Sequence, residues 1–151
     1  IEFKVAGNLD SNFIRPANMP DNIEFVGFKS GRDLDEFYIN SRIIVVPSKW
    51  YEGFPNVIVR GMLHHKPIVT SDVGAMQSIV DHGKNGLLVS PGDSGSLSRA
   101  IRDLYGDTTR CREFGENGFM KAGTLYPRDT IYKELTGIYE QAIRNAENKR
   151  N

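Results

Sequence analysis

Five short apolar runs divide the chain; they are rich in valine and isoleucine and lack a clean alternation with polar residues. Such runs are typical of strands that are buried on both faces of a parallel sheet. Turn-forming glycine, proline, asparagine and aspartate residues lie between many of them. The pattern therefore predicts five strands: Phe3–Ala6, Ile23–Val26, Ile43–Val46, Pro67–Thr70 and Gly86–Val89.

Segments with helical spacing of apolar residues follow most of these strands. The predicted helices are Asp33–Asn40, Asn56–His64, Met76–Asp81, Ser94–Tyr105, Thr109–Ala122 and Asp129–Asn145. The two clearest stripes, which we expect to be core, are Leu97, Ala100, Ile101 and Leu104, and Ile131, Leu135, Ile138 and Ala142. Alternating strands and helices predict an α/β fold with a doubly wound parallel sheet.

Length and charge limit the classes of protein to which this chain can belong. A chain of 151 residues suits one domain, and 19 basic residues balance 19 acidic ones, so no basic surface for nucleic acid is indicated. The single cysteine, Cys111, excludes an internal disulfide and suits a reducing compartment such as the cytoplasm. We interpret it as an incidental thiol. Because the first residues already resemble a strand, the sequence is expected to be a fragment that starts inside a fold.

The most informative segment runs from the third predicted strand into the second predicted helix. The strand stops at Pro47, and a polar loop then carries Glu52 and Gly53. Pro55 suits the first helical position, where a missing N–H costs nothing. In an open α/β sheet, ligands bind where strands end, and the free N–H groups of a helix start favour phosphate. The segment therefore predicts a site for a phosphorylated ligand.

Several further segments fall at predicted strand ends and turns: Val5-Ala-Gly7, Phe25-Val-Gly27, Val46-Pro-Ser48, Glu52-Gly-Phe-Pro-Asn56, Lys66–Gly74 and Gly83–Asp93. In this order and spacing, they make the chain from Phe3 to about Tyr139 resemble one half of the GT-B glycosyltransferases. That half is the C-terminal, nucleotide-sugar-binding half, and family 4 is the most similar group. The resemblance implies a Rossmann-like fold.

The resemblance also implies a donor site. Its first glutamate, here Glu52, contacts hydroxyls of the donor sugar and is the candidate catalytic residue. The residues implied in donor binding are Gly53, Phe54, Pro55, Asn56, Val57, Arg60, Asp72 and Gly74. Arg60 stands where the family has a second glutamate that accepts hydrogen bonds from ribose. Arginine accepts none, so Arg60 can donate to ribose oxygens, pair with the diphosphate or point away.

The implied reaction is retaining transfer of a hexosyl group from a nucleoside-diphosphate sugar to a glycan or lipid-linked acceptor, without a metal or other cofactor. We expect a cytoplasmic location, with peripheral contact at the inner face of a membrane left open. The family's first central strand, which carries an arginine and a lysine, and its acceptor domain have no counterpart in this chain. We therefore expect residues 1–151 to be a single partial domain that is inactive alone. We also expect its strands to close up, or a second copy to fill the gap by self-association.

Other interpretations remain beside this one. Arg60 and the departures Ala75 and Ser78 also suit a degenerate nucleotide-sugar-binding or scaffold module. A nucleotide-sugar epimerase is a third hypothesis, which the Glu-Gly-Phe-Pro loop disfavours. Among single residues, Trp50 and Tyr51 either line a cleft rim or, as we favour, pack in or cover the sheet.

Three remaining motifs have simple structural interpretations. His64 and His65 close a short helix rather than bind a metal. Asp33-Leu-Asp35 imitates a metal-binding motif, but Ser30 with Asp33 is better interpreted as a helix-capping pair. The segment from Asp72 to Gly74 is either a strand-ending turn or, as the resemblance implies, part of the donor site.

Overall fold

The strands and helices follow the alternation that the sequence predicts. A computed structural model describes residues 1–10, 12–125 and 128–148, without the side chains of 128–131, 134, 135 and 146–148. The strands are β1 (Phe3–Ala6), β2 (Ile23–Gly27), β3 (Ile44–Val46), β4 (Ile68–Ser71) and β5 (Gly86–Val89). The helices are α1 (Gly31–Asn40), α2 (Asn56–Leu63), α3 (Met76–Ile79), α4 (Ser94–Gly106), α5 (Thr108–Leu125) and α6 (Arg128–Asn148).

The chain divides into two compact units, Ile1–Ser41 and Arg42–Asn151. The first unit holds β1 and β2, which pair in parallel, followed by α1. The ring of Phe25 lies 5.4 Å from that of Phe13, and the guanidinium of Arg15 lies 5.3 Å from its centroid. These contacts fix the irregular connection between the two strands against β2.

The second unit is built on the parallel sheet β3-β4-β5. Every residue of the central strand β4 is buried, because its neighbours and the surrounding helices cover both faces. Ile58 and Met62 of α2, Met76 of α3 and Leu104 of α4 are fully buried with it. The apolar runs of the sequence thus form the core of this unit.

Glycine residues bring α2 close to its neighbours. A Cβ on Gly61 of α2 would lie 3.0 Å from side-chain atoms of both Ile44 and Ile68, so α2 packs close to the sheet. On α5, a Cβ at Gly118 would lie 3.2 Å from Met62, and one at Gly115 would lie 2.2 Å from the carbonyl oxygen of His65. Helix α2 is therefore held tightly between the sheet and α5.

Helix α2 ends in a Schellman motif. The N–H of His65 donates to the carbonyl of Met62, and that of Lys66 donates to the carbonyl of Gly61. His65 has φ 55°, a position that glycine usually occupies. Its ring stacks on Phe119 at 4.0 Å, and its Nδ1 lies 3.2 Å from a carboxylate oxygen of Glu116. These contacts to α5 offset the strained backbone, and the prediction that His64 and His65 close this helix is confirmed.

Helix α4 begins where the sequence predicts it, with Asp93 as its N-cap. The Asp93 carboxylate accepts hydrogen bonds from the N–H groups of Gly95 and Ser96, which satisfies two donors at the helix start. The same bonds hold the pKa of Asp93 below its ordinary value, chiefly through Ser96.

The predicted capping pair at α1 is wrong, because Ser30 is the N-cap but its side chain makes no capping hydrogen bond. Pro55 also precedes α2 as its N-cap rather than opening it.

Two expectations about packing are wrong, and so is one half of a third. In the described residues β1-β2 and β3-β4-β5 are separate sheets, so the strands do not close into one, while the alternative that a second copy fills the gap stays a prediction. Strand β1 is largely exposed, so burial on both faces holds for β4 but not for β1. Ile138 of α6 is 63% exposed and Ala142 is exposed, so the described part of that stripe is not core. The side chains of Ile131 and Leu135 lie outside the described ones. The single partial domain stays a prediction.

The α4 stripe is core as predicted. Ile101 and Leu104 are buried and Leu97 and Ala100 are half-buried.

The contact between α2 and α5 gives a stability prediction. Gly115→Ala places a methyl group into the backbone of His65, which cannot move aside as a flexible side chain would. We expect a loss of about 1–3 kcal/mol in the free energy of unfolding. The matched control is Gly123→Ala on the same helix, where a Cβ meets nothing within 4 Å. Because alanine favours helix, that variant should gain up to about 0.5 kcal/mol. Urea unfolding measures both, and equal stabilities would contradict the packing.

Candidate functional site

The carboxyl ends of β3, β4 and β5 lie at the same edge of the second unit's sheet, because all three strands are parallel. The loop of residues 47–55 leaves this edge after β3. A Cβ on Gly74, after β4, would lie 3.2 Å from the ring of Tyr51 and 3.6 Å from the backbone of Glu52. A Cβ on Gly92, after β5, would lie 3.6 Å from the side chain of Lys49. The loop is therefore in contact with the turns after both neighbouring strands.

Two hydroxyl groups fix the start of this loop. The buried hydroxyl of Thr70, on β4, donates to the carbonyl of Val46 at 2.8 Å and lies 2.9 Å from the sulfur of Met76. It thus ties the end of β3 to the start of α3. The hydroxyl of Ser48 bonds both the N–H and the carbonyl of Trp50 at 3.3 Å. The backbone that leads to Glu52 is held by these local bonds.

Most of the residues implied in donor binding lie together at the end of the loop and the start of α2. Glu52 is half-buried, Gly53 and Asn56 are exposed, and Phe54 and Val57 are each 48% exposed. Pro55 is fully buried, so it shapes the loop rather than offering surface to a ligand. The carbonyls of Phe54 and Pro55 accept from the N–H groups of Asn56 and Ile58.

We call the place where the loop of residues 47–55 meets α2 the corner. Glu52 and Gly53 carry polar groups of this corner that have no hydrogen-bond partner in the described residues. Within the described part of the chain, no protein group hydrogen-bonds to the Glu52 carboxylate or to the N–H of Gly53. A half-buried carboxylate and a backbone donor are thus adjacent and open, at the start of a helix whose dipole favours negative charge. This arrangement suits a ligand that combines hydroxyl groups with an anionic group.

Arg60 lies one turn into α2. Residues four apart share a helix face, so Arg60 lies on the side of Asn56, whereas Ile58, Val59, Gly61 and Met62 are buried. Its side chain is half-exposed. The structure therefore places Arg60 on the same face as the helix start without deciding among its three possible roles.

Asp72 and Gly74 form the turn after β4. The N–H of Asp72 donates to the carbonyl of Val89, which ties the turn to the end of β5. The Asp72 side chain is exposed. Gly74 has φ 59°, a left-handed conformation, and its missing Cβ leaves room for Tyr51 and Glu52. The turn and the loop are therefore in contact, which is compatible with both interpretations of this segment.

The other chemical motifs of the sequence belong to other elements. Asp33 and Asp35 are on α1 of the first unit. The thiol of Cys111 is buried and donates to the carbonyl of Leu104, which suits an inert cysteine. Among the residues that the structure describes, no three histidine, cysteine, aspartate or glutamate side chains are grouped as metal ligands. In the described helices, none is long and apolar enough to cross a membrane.

The sequence interpretation missed two features of the loop. Lys49 brings a cation to the strand edge, and its position between a strand end and Glu52 was the only signal for it. Trp50 and Tyr51 were expected to pack in or cover the sheet, and this is wrong, because their side chains are 79% and 85% exposed. The alternative that they line a rim is the one compatible with this exposure.

Comparisons with known proteins find a matching family and several sequence relatives. Residues 1–107 match the sequence profile of the family described as "Glycosyl transferases group 1". The capsular polysaccharide biosynthesis glycosyltransferase CapM of Staphylococcus aureus is 28% identical over 132 residues, which is 87% of this chain and 34% of CapM. An exopolysaccharide phosphotransferase of Streptomyces coelicolor is 29% identical over 140 residues, 92% of this chain and 14% of that protein. The chain thus spans about a third of CapM and less of the other relative.

Solved structures show the same similarity. Sucrose-phosphate synthase from Thermosynechococcus elongatus superposes with a TM-score of 0.77 and 31% identity, covering 83% of this chain and 31% of that one. The HepE protein of Anabaena, solved in complex with UDP-glucose, superposes with a TM-score of 0.75 and 27% identity. That match covers 80% of this chain and 33% of HepE. An α/β fold of the GT-B type is therefore established.

The contact between Gly74 and Tyr51 can be tested by substitution. Gly74→Ala and Gly83→Ala each put a side chain on a left-handed backbone, at φ 59° and 77°. Both should lose about 1–2 kcal/mol of stability in urea unfolding. Only Gly74→Ala should also move the Tyr51 ring and Glu52 amide resonances in NMR spectra, because a Cβ at Gly83 meets nothing within 4 Å. Unchanged resonances in Gly74→Ala would contradict the contact.

Proposed function

The chain belongs to the group 1 family of glycosyl transferases, and from this membership we propose that it binds the nucleoside-diphosphate-sugar donor of a retaining glycosyltransferase. The whole protein transfers a hexosyl group to a glycan or lipid-linked acceptor in polysaccharide biosynthesis. The similarity to CapM and to HepE, which was solved with UDP-glucose, supports this assignment. The single observation that carries it is the open pair of Glu52 and Gly53 at the start of α2.

Each group at this corner has a role in the proposed reaction. The two acceptor oxygens of Glu52 receive hydrogen bonds from hydroxyls of the donor sugar and fix its ring. The N–H of Gly53 and the start of α2 face the diphosphate, together with the backbone from Phe54 to Val57. Because Gly53 has no Cβ, the backbone can approach the ligand closely. Asp72 and Gly74 complete the site from the turn after β4.

The reaction itself breaks the bond between the anomeric carbon and the diphosphate oxygen. The nucleoside diphosphate leaves with both bonding electrons, an acceptor hydroxyl oxygen bonds to the same carbon, and the hydroxyl proton passes to the departing diphosphate oxygen. Negative charge grows on the leaving oxygen, and the N–H of Gly53 together with the positive end of the α2 dipole stabilises it. We propose that this main-chain site works without a metal and that the anomeric configuration is retained.

Most of the acceptor site is proposed to lie in other parts of the protein. Because this chain spans 34% of CapM and 31% of sucrose-phosphate synthase, most of a related enzyme has no counterpart in it. We therefore expect the chain alone to bind donor but not to turn it over. We also propose a cytoplasmic enzyme that works at the inner face of the membrane through its acceptor-binding part.

The role of Glu52 is tested by binding of UDP-glucose to the chain. Glu52→Gln keeps the shape of the side chain but replaces one acceptor oxygen with a donor, so hydroxyl groups of the sugar lose a partner. Isothermal titration calorimetry should show a loss of affinity for UDP-glucose of about tenfold or more. UDP alone, which lacks the sugar, should bind both forms alike.

A matched control is Glu113→Gln, an exposed glutamate on α5. It makes the same change of charge away from the loop and should bind UDP-glucose as the unchanged chain does. Equal affinity of Glu52→Gln and Glu113→Gln for UDP-glucose would contradict the assignment.

Arg60 favours a second candidate function, a degenerate nucleotide-sugar-binding or scaffold module. The family has a ribose-accepting glutamate at this position, and arginine can only donate. If Arg60 instead pairs with the diphosphate or donates to ribose, the donor site is intact but differs in its contacts. The two candidate functions therefore predict opposite effects on donor binding when the arginine is replaced by glutamate.

The variant Arg60→Glu separates the two functions. In the donor-binding chain that we propose, loss of the arginine should weaken UDP-glucose binding by about tenfold, because a charge-assisted hydrogen bond is removed. In a degenerate module, the restored acceptor should strengthen it instead. Calorimetry at the same salt concentration decides between them, and Arg102→Glu on the exposed side of α4 controls for the change in net charge.

A further inference from the structure

Trp50 and Tyr51 are large apolar side chains that the proposed donor site does not use. They are adjacent in sequence and are 79% and 85% exposed. Leaving two aromatic rings in water forgoes much of the free energy that their burial would supply. Their position beside the candidate site therefore suggests a ligand that contacts them.

The backbone that carries these rings is held in place. The hydroxyl of Ser48 bonds the N–H and carbonyl of Trp50. The Tyr51 ring lies beside Gly74, whose Cβ would come within 3.2 Å of it. The two aromatic residues are thus presented by an anchored loop at the strand edge, and a ligand that meets them need not first order this backbone.

Glu52 divides the loop into two parts of different chemistry. The part after Glu52 offers main-chain groups and the start of α2, and it is the part that the proposed function assigns to the donor. The part before Glu52 offers two exposed aromatic rings, with the ammonium of Lys49 before them in sequence and the carboxylate of Glu52 after them. Aromatic surface edged by polar groups matches a pyranose ring, which has an apolar C–H face and a rim of hydroxyls.

We propose that Trp50 and Tyr51 form an acceptor subsite, on which a pyranose ring of the acceptor glycan stacks. This inference rests on the proposed function, because it takes the carboxylate of Glu52 as the boundary with the donor sugar. The acceptor sugar lies on the aromatic side of Glu52, and the donor sugar lies on the amide side. The pair contributes affinity and selects a carbohydrate acceptor, while the reacting groups remain those of the donor site.

The single tryptophan of the chain makes this proposal directly measurable. Fluorescence emission from the 151-residue chain reports on Trp50 alone. The probes are four disaccharides, maltose, cellobiose, chitobiose and α-1,2-mannobiose, each titrated to high millimolar concentration. We expect a saturable change in emission with at least one of them, because a sugar ring that stacks on the indole displaces water from it. No saturable change with any of the four would overturn the proposal.

Variants then assign the binding to the aromatic pair. Saturation-transfer NMR, which observes the disaccharide, should show affinity lowered about tenfold or more in Trp50→Ala and kept within a few-fold in Trp50→Phe. Tyr132→Ala removes an aromatic side chain that is 70% exposed on α6, and it should bind as the unchanged chain does. Far-UV circular dichroism checks that each variant is folded. Equal affinity of Trp50→Ala and Tyr132→Ala would overturn the proposal.

A crossed titration separates this inference from the function on which it rests. Trp50→Ala should keep its affinity for UDP-glucose and lose the disaccharide, while Glu52→Gln should lose UDP-glucose and keep the disaccharide. If the unchanged chain binds no UDP-glucose but does bind the disaccharide at Trp50, the donor assignment fails and the aromatic sugar site stands. If UDP-glucose binds and no disaccharide does, the acceptor subsite alone is wrong.

Discussion

The close packing of α2 between the sheet β3-β4-β5 and α5 is the constraint on which the candidate site depends. Gly61 lets the helix approach Ile44 and Ile68, and Gly115 lets α5 approach the backbone of His65. Bulkier residues at these positions would push the helix away, since protein interiors have little free volume. The position of the helix start, and with it the backbone of Glu52 and Gly53, is therefore set by contacts at the middle and the far end of the same helix.

This constraint explains how a loop without regular structure can carry a precise site. The loop of residues 47–55 is fixed at one end by strand β3 and Thr70, and at the other by buried Pro55 and α2. Gly74 contacts its middle from the turn after β4. Between these anchors lie Glu52 and Gly53, so a ligand would meet groups that are already in position. The two aromatic residues before Glu52 share that support.

The sequence predicted the second unit well because burial determines its pattern. Strands β3, β4 and β5 lie within one residue of their predicted limits, because short apolar runs without clean alternation mark strands that are at least partly buried on both faces. Helix α2 and the loop before it were also predicted, since Pro47 and Pro55 mark their limits. The burial of loop residues is harder to predict. Whether Trp50 and Tyr51 are core or surface depends on which groups surround them in three dimensions, and no spacing of apolar residues records that.

The predictions that failed share a physical reason. The stripe on α6 has the spacing of a buried face, but the pattern does not say whether another element covers it, and Ile138 is exposed. A serine before a helix has the right chemistry to cap it, yet the side chain of Ser30 makes no capping bond. Local chemistry thus predicted which elements form, whereas partners in space decided which faces are buried.

Amide NMR spectra of the ¹⁵N-labelled chain during titration with UDP-glucose test the central claim most directly. The account predicts saturable shifts that are largest for the Gly53 amide and its neighbours up to Val57, with smaller shifts at Gly74 and none in α4. Shifts confined to other parts of the chain, or no saturable shift at all, would contradict the claim that a sugar nucleotide binds where β3 leads into α2.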